Sequence, residues 1–344
     1  MKAKNNKYAD ILSKVNNNQR GVSDSILIVD GLNTFLRSFT MINHINPDGA
    51  HIGGLTGFLK SIGYAIRTID PTKVVIVFDG VGGSNARRNL FPDYKANRNK
   101  NRITNYSIFQ SKDEETESIN NQMERLIQYL KCLPVTVISI DGLEADDIIG
   151  YLANKFEKFS LTEEVTIMSA DQDFLQLVNK DVSVYSPTKK KIYTPDVVLE
   201  EFGIHPHNFI NFRMIDGDKS DSIEGINGLG IKSIIKAFPI LAEETYHTTE
   251  SMLEYAKNVD KRVKAHELFE NGLAICERNR RLMQLAEPEF SGNLRMKIMD
   301  RYDEPTPKFD KQGFLKTGLR HGVIDAFKDI NDWLQSTFGH ISKF

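Results

Sequence analysis

The sequence predicts an α/β protein: a mostly parallel central sheet with helices on both faces, followed by a helical lobe. Two patterns predict it. Four short β-branched runs, at 26–30, 74–79, 135–141 and 165–171, are nearly continuously apolar, as strands covered on both faces must be. Between them lie helix-length segments such as 55–68, 119–133 and 146–159, which suit the crossovers that parallel strands require. The four runs close on Asp30, Asp79, Asp141 and Asp171. Parallel strands put their carboxyl ends on one edge, and in open α/β sheets that edge holds the ligand crevice. Acids far apart in sequence are therefore expected to converge there.

The elements follow in order. Residues 1–24 form a leader rich in lysine and asparagine, without the apolar core of a secretory signal. Residues 25–200 are expected to build the α/β domain. Within it, the segment at about 80–118 is too long and too polar for an ordinary strand-to-helix connection, and is expected to be functional or mobile. It opens with Gly82-Gly83, carries a basic stretch and turns acidic at residues 113–117. Beyond about Tyr193 the β-branched runs stop, and 197–202, 208–215 and 231–238 read as helices. Residues 201–344 are accordingly expected to form the helical lobe. Residues 301–310, with Pro305 and Pro307, read as a loop before a last helical segment at 324–338.

Composition narrows the class. The 344-residue chain is 40% hydrophobic and 26% charged, which supports a real core and excludes a disordered or fibrous protein. Cys132 and Cys276 lie far apart with no Cys or His clustered beside them, which excludes a disulfide framework and a zinc-finger pattern. A reducing cytoplasm is the expected setting, with no membrane association, since no apolar run approaches the roughly 18 residues a bilayer span needs. The net charge of −2 conceals a separation of charge. Residues 87–102 hold Arg87, Arg88, Lys95, Arg98, Lys100 and Arg102 against the single acid Asp93. A protein whose acids are neutralised by metal and whose remaining surface is basic is suited to a polyanion.

The acids that the sheet edge should gather are Asp30, Asp79, Glu144, Asp146, Asp147, Asp171, Asp173, Asp218 and Asp221. Acids at helix starts are commonly caps, favoured by the helix dipole. A whole set at one edge is different, because like charges repel and need a compensating cation. Oxygen ligands without His or Cys suit Mg²⁺ or Mn²⁺ rather than Zn²⁺. Two such ions about 3.5 to 4 Å apart support in-line hydrolysis of a phosphodiester with water as nucleophile. The sequence lacks the Gly-x-Ser-x-Gly, Walker-type, His-Glu-x-x-His and Gly-x-Gly-x-x-Gly patterns, which removes weight from serine hydrolases, nucleotide triphosphatases, zincins and dinucleotide enzymes.

Two further segments point to phosphate. Gly225, Gly228 and Gly230, followed by Lys232, allow a tight turn whose backbone N–H groups grip a nucleic-acid backbone in the manner of a helix-hairpin-helix at about 215–238. Tyr94, Lys95 and Arg98 place a ring and two cations within one helical turn, with Tyr94 expected to stack on a base. An interhelical turn and a solvated basic face are the simpler readings of these two segments.

Together these motifs closely resemble the 5′-nuclease superfamily. The residues that carry the likeness, in order, are Ile-Val-Asp30-Gly, Val-Phe-Asp79-Gly, Tyr94-Lys95-x-x-Arg98, Glu144-Ala-Asp146-Asp147, Ser-Ala-Asp171-x-Asp173-Phe, Gly217-Asp218-x-x-Asp221 and Gly225-x-x-Gly228-x-Gly230-x-Lys232. The likeness spans about residues 25–238. It is nearest in character to flap endonucleases, the 5′-exonuclease domain of bacterial DNA polymerase I, and stand-alone bacteriophage enzymes that are also ribonucleases H. The resemblance implies that Asp30, Asp79, Glu144, Asp146 and Asp171 surround one Mg²⁺, with Asp147, Asp173, Asp218 and Asp221 nearer a second. It implies that Arg87, Tyr94, Lys95 and Arg98 belong to a helical arch passing a 5′ single strand, Lys95 and Arg98 steadying the scissile phosphate. It also implies that the glycine turn holds downstream duplex, commonly with K⁺. Ser222 departs from the family pattern, which usually has Asn there.

The expected activity is Mg²⁺-dependent cleavage of 5′ flaps, 5′ ends and RNA/DNA hybrids by a monomer, removing RNA primers or flaps in replication and repair. A single-strand-binding protein, a sliding clamp or a polymerase are the partners the resemblance suggests. A compact PIN-type ribonuclease and a DNA-binding scaffold without activity are the alternatives.

Overall fold

The computed structural model describes residues 25–99, 103–159 and 164–341. The leader at 1–24 and two of the basic residues, Lys100 and Arg102, lie outside the described residues. The main sheet has six strands: β1 (Ser25–Asp30), β2 (Lys73–Val77), β3 (Thr136–Ile138), β4 (Glu164–Met168), β5 (Val182–Ser186) and β6 (Lys191–Tyr193). Their order is β3-β2-β1-β4-β5-β6. All neighbours are parallel except the β5–β6 hairpin.

Among the described residues, seven helices accompany the sheet through the α/β region and into the start of the lobe: α1 (Gly31–Met41), α2 (Gly53–Ile69), α3 (Asn85–Leu90), α4 (Lys112–Leu130), α5 (Ala145–Phe159), α6 (Pro195–Phe202) and α7 (Phe209–Asp216). A two-stranded hairpin, β7 (Gly217–Asp218) and β8 (Ile223–Glu224), leads into α8 (Ile231–Ala237). Then follow α9 (Thr249–Asn258), α10 (Lys264–Asn271), α11 (Leu273–Met283), α12 (Gly292–Asp303), α13 (Lys311–His321) and α14 (Ile330–Phe338).

The twofold alternation of a strand divides the core into two halves. Ile26, Ile28, Val75, Val77, Val165 and Ile167 face one way and join α5 with the lobe from Phe202 to Tyr302. Leu27, Val29, Val74 and Ile76 face the other way and join α1, α2 and α4. The sequence boundary at 201–344 needs correction here. Phe314, Ile330, Leu334 and Phe338, from α13 and α14, pack into the second half, on the face of the sheet away from the lobe. The Trp333 ring lies so close to Gly63 of α2 that a Cβ there would sit 2.8 Å from it. The apolar spacing of these helices specifies that they are buried, and does not specify which face receives them.

Strands β5 and β6 fall outside the four expected runs, because Ser183 and Ser186 interrupt one and the other is three residues long. Strand β3 ends at Ile138, and Asp141 lies in the turn beyond it. Its Oδ1 accepts from the Val81 N–H at 3.1 Å, so this acid is a turn-former rather than a member of the sheet edge.

Leu334 is fully buried against the second core, so Leu334→Ala is expected to destabilise the whole domain by about 2–5 kcal/mol in a urea titration, with one transition retained. An unchanged midpoint would make α14 a dispensable appendage.

Candidate active site

The acids gather where the parallel strands end. Asp30 closes β1 and caps α1: its Oδ1 accepts from the Asn33 N–H at 3.1 Å, and its Oδ2 from the Ser169 hydroxyl at 3.0 Å. Asp79 follows β2 and accepts from the Ala145 N–H at 2.7 Å, satisfying an open donor at the start of α5. Glu144 stands immediately before α5, and Asp146 and Asp147 occupy its first turn. Asp171 follows β4, and its Oδ1 accepts from the Asp173 N–H at 2.8 Å. Asp218 closes β7, and Asp221 lies in the β7–β8 turn.

Two electrostatic populations result. Burial, and secondarily the nearby Asp171 and Asp79 charges, push Asp30 up to about 7. Burial likewise raises Asp171 to about 7, with Asp173 and Asp218 adding to it. Asp146 is raised well above the usual carboxylate range by burial and by the Asp30 and Asp171 charges. These three repel one another.

The other population is held by cations. Glu144 is 1% exposed, and burial alone would raise it. The Arg87 and Lys95 charges overcome that penalty and hold it at about 2. It accepts from Arg87, Lys95, the Ser84 hydroxyl at 2.8 Å and the Tyr94 hydroxyl at 3.2 Å. Arg87 also grips Asp147 with two donors, at 2.8 and 2.9 Å. Arg213 bridges Asp173 and Asp218, the latter at 2.9 Å, and Arg98 pairs with Asp221.

The nine acids therefore share one edge without forming a ready ligand cage. Among the described residues, no three ligating side chains stand together at metal-binding spacing. Glu144, Asp147, Asp173, Asp218 and Asp221 are turned toward arginine and lysine instead. The donor chemistry still fits a hard divalent cation: carboxylate oxygens, with three carboxylates raised by burial and by neighbouring carboxylate charge.

The basic segment departs from the sequence reading. Tyr94 is 4% exposed and packs with Ile210, Ile223, Leu282 and Met283, against Leu90 and Phe91. The apolar neighbours Leu90 and Phe91 bury its ring, so it orients Glu144 rather than offering a stacking face. Lys95 is also buried, with its backbone at φ 58, a strained conformation of the kind that collects at functional sites. Among the described residues of the expected arch at 80–118, the regular elements are α3, a 3-10 turn at Ala96–Asn99 and the first turns of α4. The glycine turn lies between the β7–β8 hairpin and α8. Gly228 has φ 87, and a Cβ at Gly230 would meet nothing within 4 Å, so packing does not account for that glycine. Lys232 is exposed.

Residues 25–203 match the family model described as the 5′-3′ exonuclease N-terminal resolvase-like domain. The chain belongs to the 5′-3′ exonuclease family. A 5′-3′ exonuclease of Bacillus subtilis is 31% identical over 272 residues, covering 76% of this chain and 83% of the relative. A 5′-3′ exonuclease of Buchnera aphidicola is 34% identical over 212 residues, covering 61% and 68%. DNA polymerase I of Lactococcus lactis matches 85% of this chain at 29% identity, but only 32% of the polymerase is covered. Among solved structures, the bacteriophage T5 5′-exonuclease with bound zinc ions has a TM-score of 0.58 at 18% identity, covering 87% of this chain and 99% of that one. The T5 flap endonuclease with DNA and metal ions scores 0.57 at 18% identity, covering 86% and 99%. These structural likenesses establish the fold. No helix among the described residues is long and apolar enough to cross a membrane.

Three residues of this candidate site escape sequence reasoning. Arg213 is the bridge between Asp173 and Asp218, and a lone arginine inside the apolar helix Phe209–Asp216 was its only signal. Ser84 and Ser169 orient Glu144 and Asp30, and serines of this kind carry no pattern of their own.

A carboxylate raised by folding favours the folded state fully below its unfolded pKa, and that contribution is lost as pH climbs through the folded value. For Asp171 the window runs from about 4 to 7. In EDTA, Asp171→Asn is therefore expected to raise Tm by several degrees at pH 8 and to leave it unchanged at pH 4. Equal melting of both proteins at pH 8 would remove Asp171 from the repelling set.

Proposed function

We propose that the chain is a Mg²⁺-dependent, structure-specific 5′-nuclease that hydrolyses phosphodiesters near the junction of a 5′ flap, at the 5′ end of a duplex, and in RNA/DNA hybrids. Removal of RNA primers or flaps during replication and repair is the task that fits these substrates. The observation that carries the reading is the company at the sheet edge: Asp30, Asp146 and Asp171 repel one another, while Lys95 and Arg98, paired with Glu144 and Asp221, lie near enough to Asp146 for their charges to interact with it.

Asp30, Asp79, Asp146 and Asp171, with Glu144, are the residues that would hold one divalent ion, and Asp147, Asp173, Asp218 and Asp221 those nearer a second. Bound there, divalent ions supply charge neutralisation and Lewis acidity at the attacked phosphate. The chain's own groups do the rest. Lys95 and Arg98 exchange a carboxylate for the scissile phosphate and offset the negative charge of the transition state. Arg87 and Tyr94 hold Glu144 in place while Lys95 is engaged elsewhere. Asp79 and Asp30 fix the first turns of α5 and α1 and thereby the edge itself. Lys232 and the open backbone at Gly230 receive the duplex strand, the position where K⁺ fits as an additional neutraliser.

Cleavage of a 5′-labelled flap duplex beside an RNA/DNA hybrid, each with Mg²⁺ or EDTA, tests the reading. Metal-dependent cuts near the flap junction are expected, abolished in Asp171→Asn with duplex binding retained. Preference for free single-stranded RNA would favour the ribonuclease alternative, and tight flap binding without cutting of either substrate would favour the inactive scaffold. Lys232→Ala is expected to weaken duplex binding and to lower the salt slope of log K by about one unit. An unchanged slope would leave the glycine turn a purely structural connection.

A further inference from the structure

Only four non-glycine residues among those described have positive φ: Asp70, Lys95, Lys190 and Ser222. Lys95 and Ser222, at φ 58 and 61, stand on the two sides of one joint. The Lys95 N–H donates to the Asp221 carbonyl at 2.8 Å, and the Asn97 N–H donates to the Ser222 hydroxyl at 3.1 Å. The Asn97 side-chain amide donates to the Lys219 carbonyl at 3.3 Å, and Arg98 pairs with Asp221. Every residue from Lys95 to Arg98 except Ala96 is thus fastened to the turn at 219–222. A left-handed backbone is unfavourable for residues with a Cβ, and it persists where surrounding contacts over-determine it.

The turn at 219–222 is in addition tied to the start of the glycine segment by the β7–β8 pairing. A Cβ at Gly225 would sit 2.1 Å from the Asp216 carbonyl oxygen, and the Ile226 N–H donates to the Ile215 carbonyl at 2.7 Å. The β7–β8 hairpin and the start of the glycine turn therefore lie on the end of α7 as one piece. A shift of Gly225 and Ile226 would therefore be passed to 219–222, and through the joint to Lys95 and Arg98.

We propose that this joint makes the placement of Lys95 and Arg98 conditional on occupancy of the glycine turn, with Asn97 and Ser222 as positioning residues that confer preference for a strand end attached to duplex. The proposal rests on the 5′-nuclease reading given above. Neither residue belongs to the apolar core, and Asn97 is exposed, so both can be changed without disturbing packing. Their contribution is geometric: a cation displaced by a fraction of an ångström from a reacting phosphate loses much of its effect on the transition state.

The test is steady-state cleavage of a 5′-flapped duplex and of the same strand free, by wild type, Ser222→Ala, Asn97→Ala and Ser222→Asn, with Tm measured for each. Ser222→Ala and Asn97→Ala are expected to lower kcat on the flapped duplex about tenfold, the loss of roughly one hydrogen bond's worth of transition-state stabilisation, with KM and Tm unchanged. The preference for flapped over free strand falls by the same factor. Ser222→Asn keeps an oxygen acceptor and tolerates the left-handed backbone, so it restores most of the rate. Unchanged kcat in both alanine variants, an equal loss on both substrates, or a loss that tracks Tm would overturn the joint's role. A wild-type chain that cuts neither substrate would instead fail the 5′-nuclease reading itself.

Discussion

Like charges crowded at the carboxyl edge of a parallel sheet are the constraint around which this protein is arranged. Parallel pairing of β1, β2 and β4 brings Asp30, Asp79 and Asp171 to one edge, and α5 starts there with Glu144, Asp146 and Asp147. Such a set is costly to bury, and the surroundings divide the cost. Arg87, Lys95, Arg98 and Arg213 pair with the outer acids, of which Asp173 and Asp221 are still raised by burial, while Asp30, Asp146 and Asp171 are raised by burial and by neighbouring carboxylates. The same repulsion that weakens the fold suits the edge to divalent cations.

The scaffold resists this repulsion from both faces. One half of the core ties the sheet to α5 and the helical lobe, and the other ties it to α1, α2, α4 and the last two helices. The edge is thus held by packing on either side, while the groups that move charge are held mainly by ion pairs, which exchange partners readily. Lys95 combines a buried side chain and a carboxylate partner with a strained backbone of the kind that collects at functional sites.

Much of this is legible in the sequence, for reasons that differ by residue. Asp30, Asp79 and Asp171 could be read because a strand that ends on an acid has a fixed place once the sheet is parallel, and Glu144 to Asp147 because helix spacing aligns them. The glycine turn was legible because few residues other than glycine adopt φ near 87, as at Gly228. Tyr94 was misread: a ring beside two cations looks like a stacking platform, and only the fold shows that Ile210 and Met283 cover it. The side of the sheet taken by α13 and α14 was beyond reach, because an apolar stripe records burial and carries no address. Arg213, Ser84 and Ser169 act through partners remote in sequence, which no local pattern encodes.

Isothermal titration of Mg²⁺ into the protein at pH 6, in two buffers of different ionisation enthalpy, reads the central claim most directly. With Asp30 and Asp171 raised to about 7, metal must displace protons from them at that pH. The account predicts heats that differ between the buffers at pH 6 by the release of about one proton or more, a difference that shrinks as pH rises. Heats independent of buffer at pH 6 would contradict it, because the ion would then be meeting carboxylates already ionised and free of mutual repulsion.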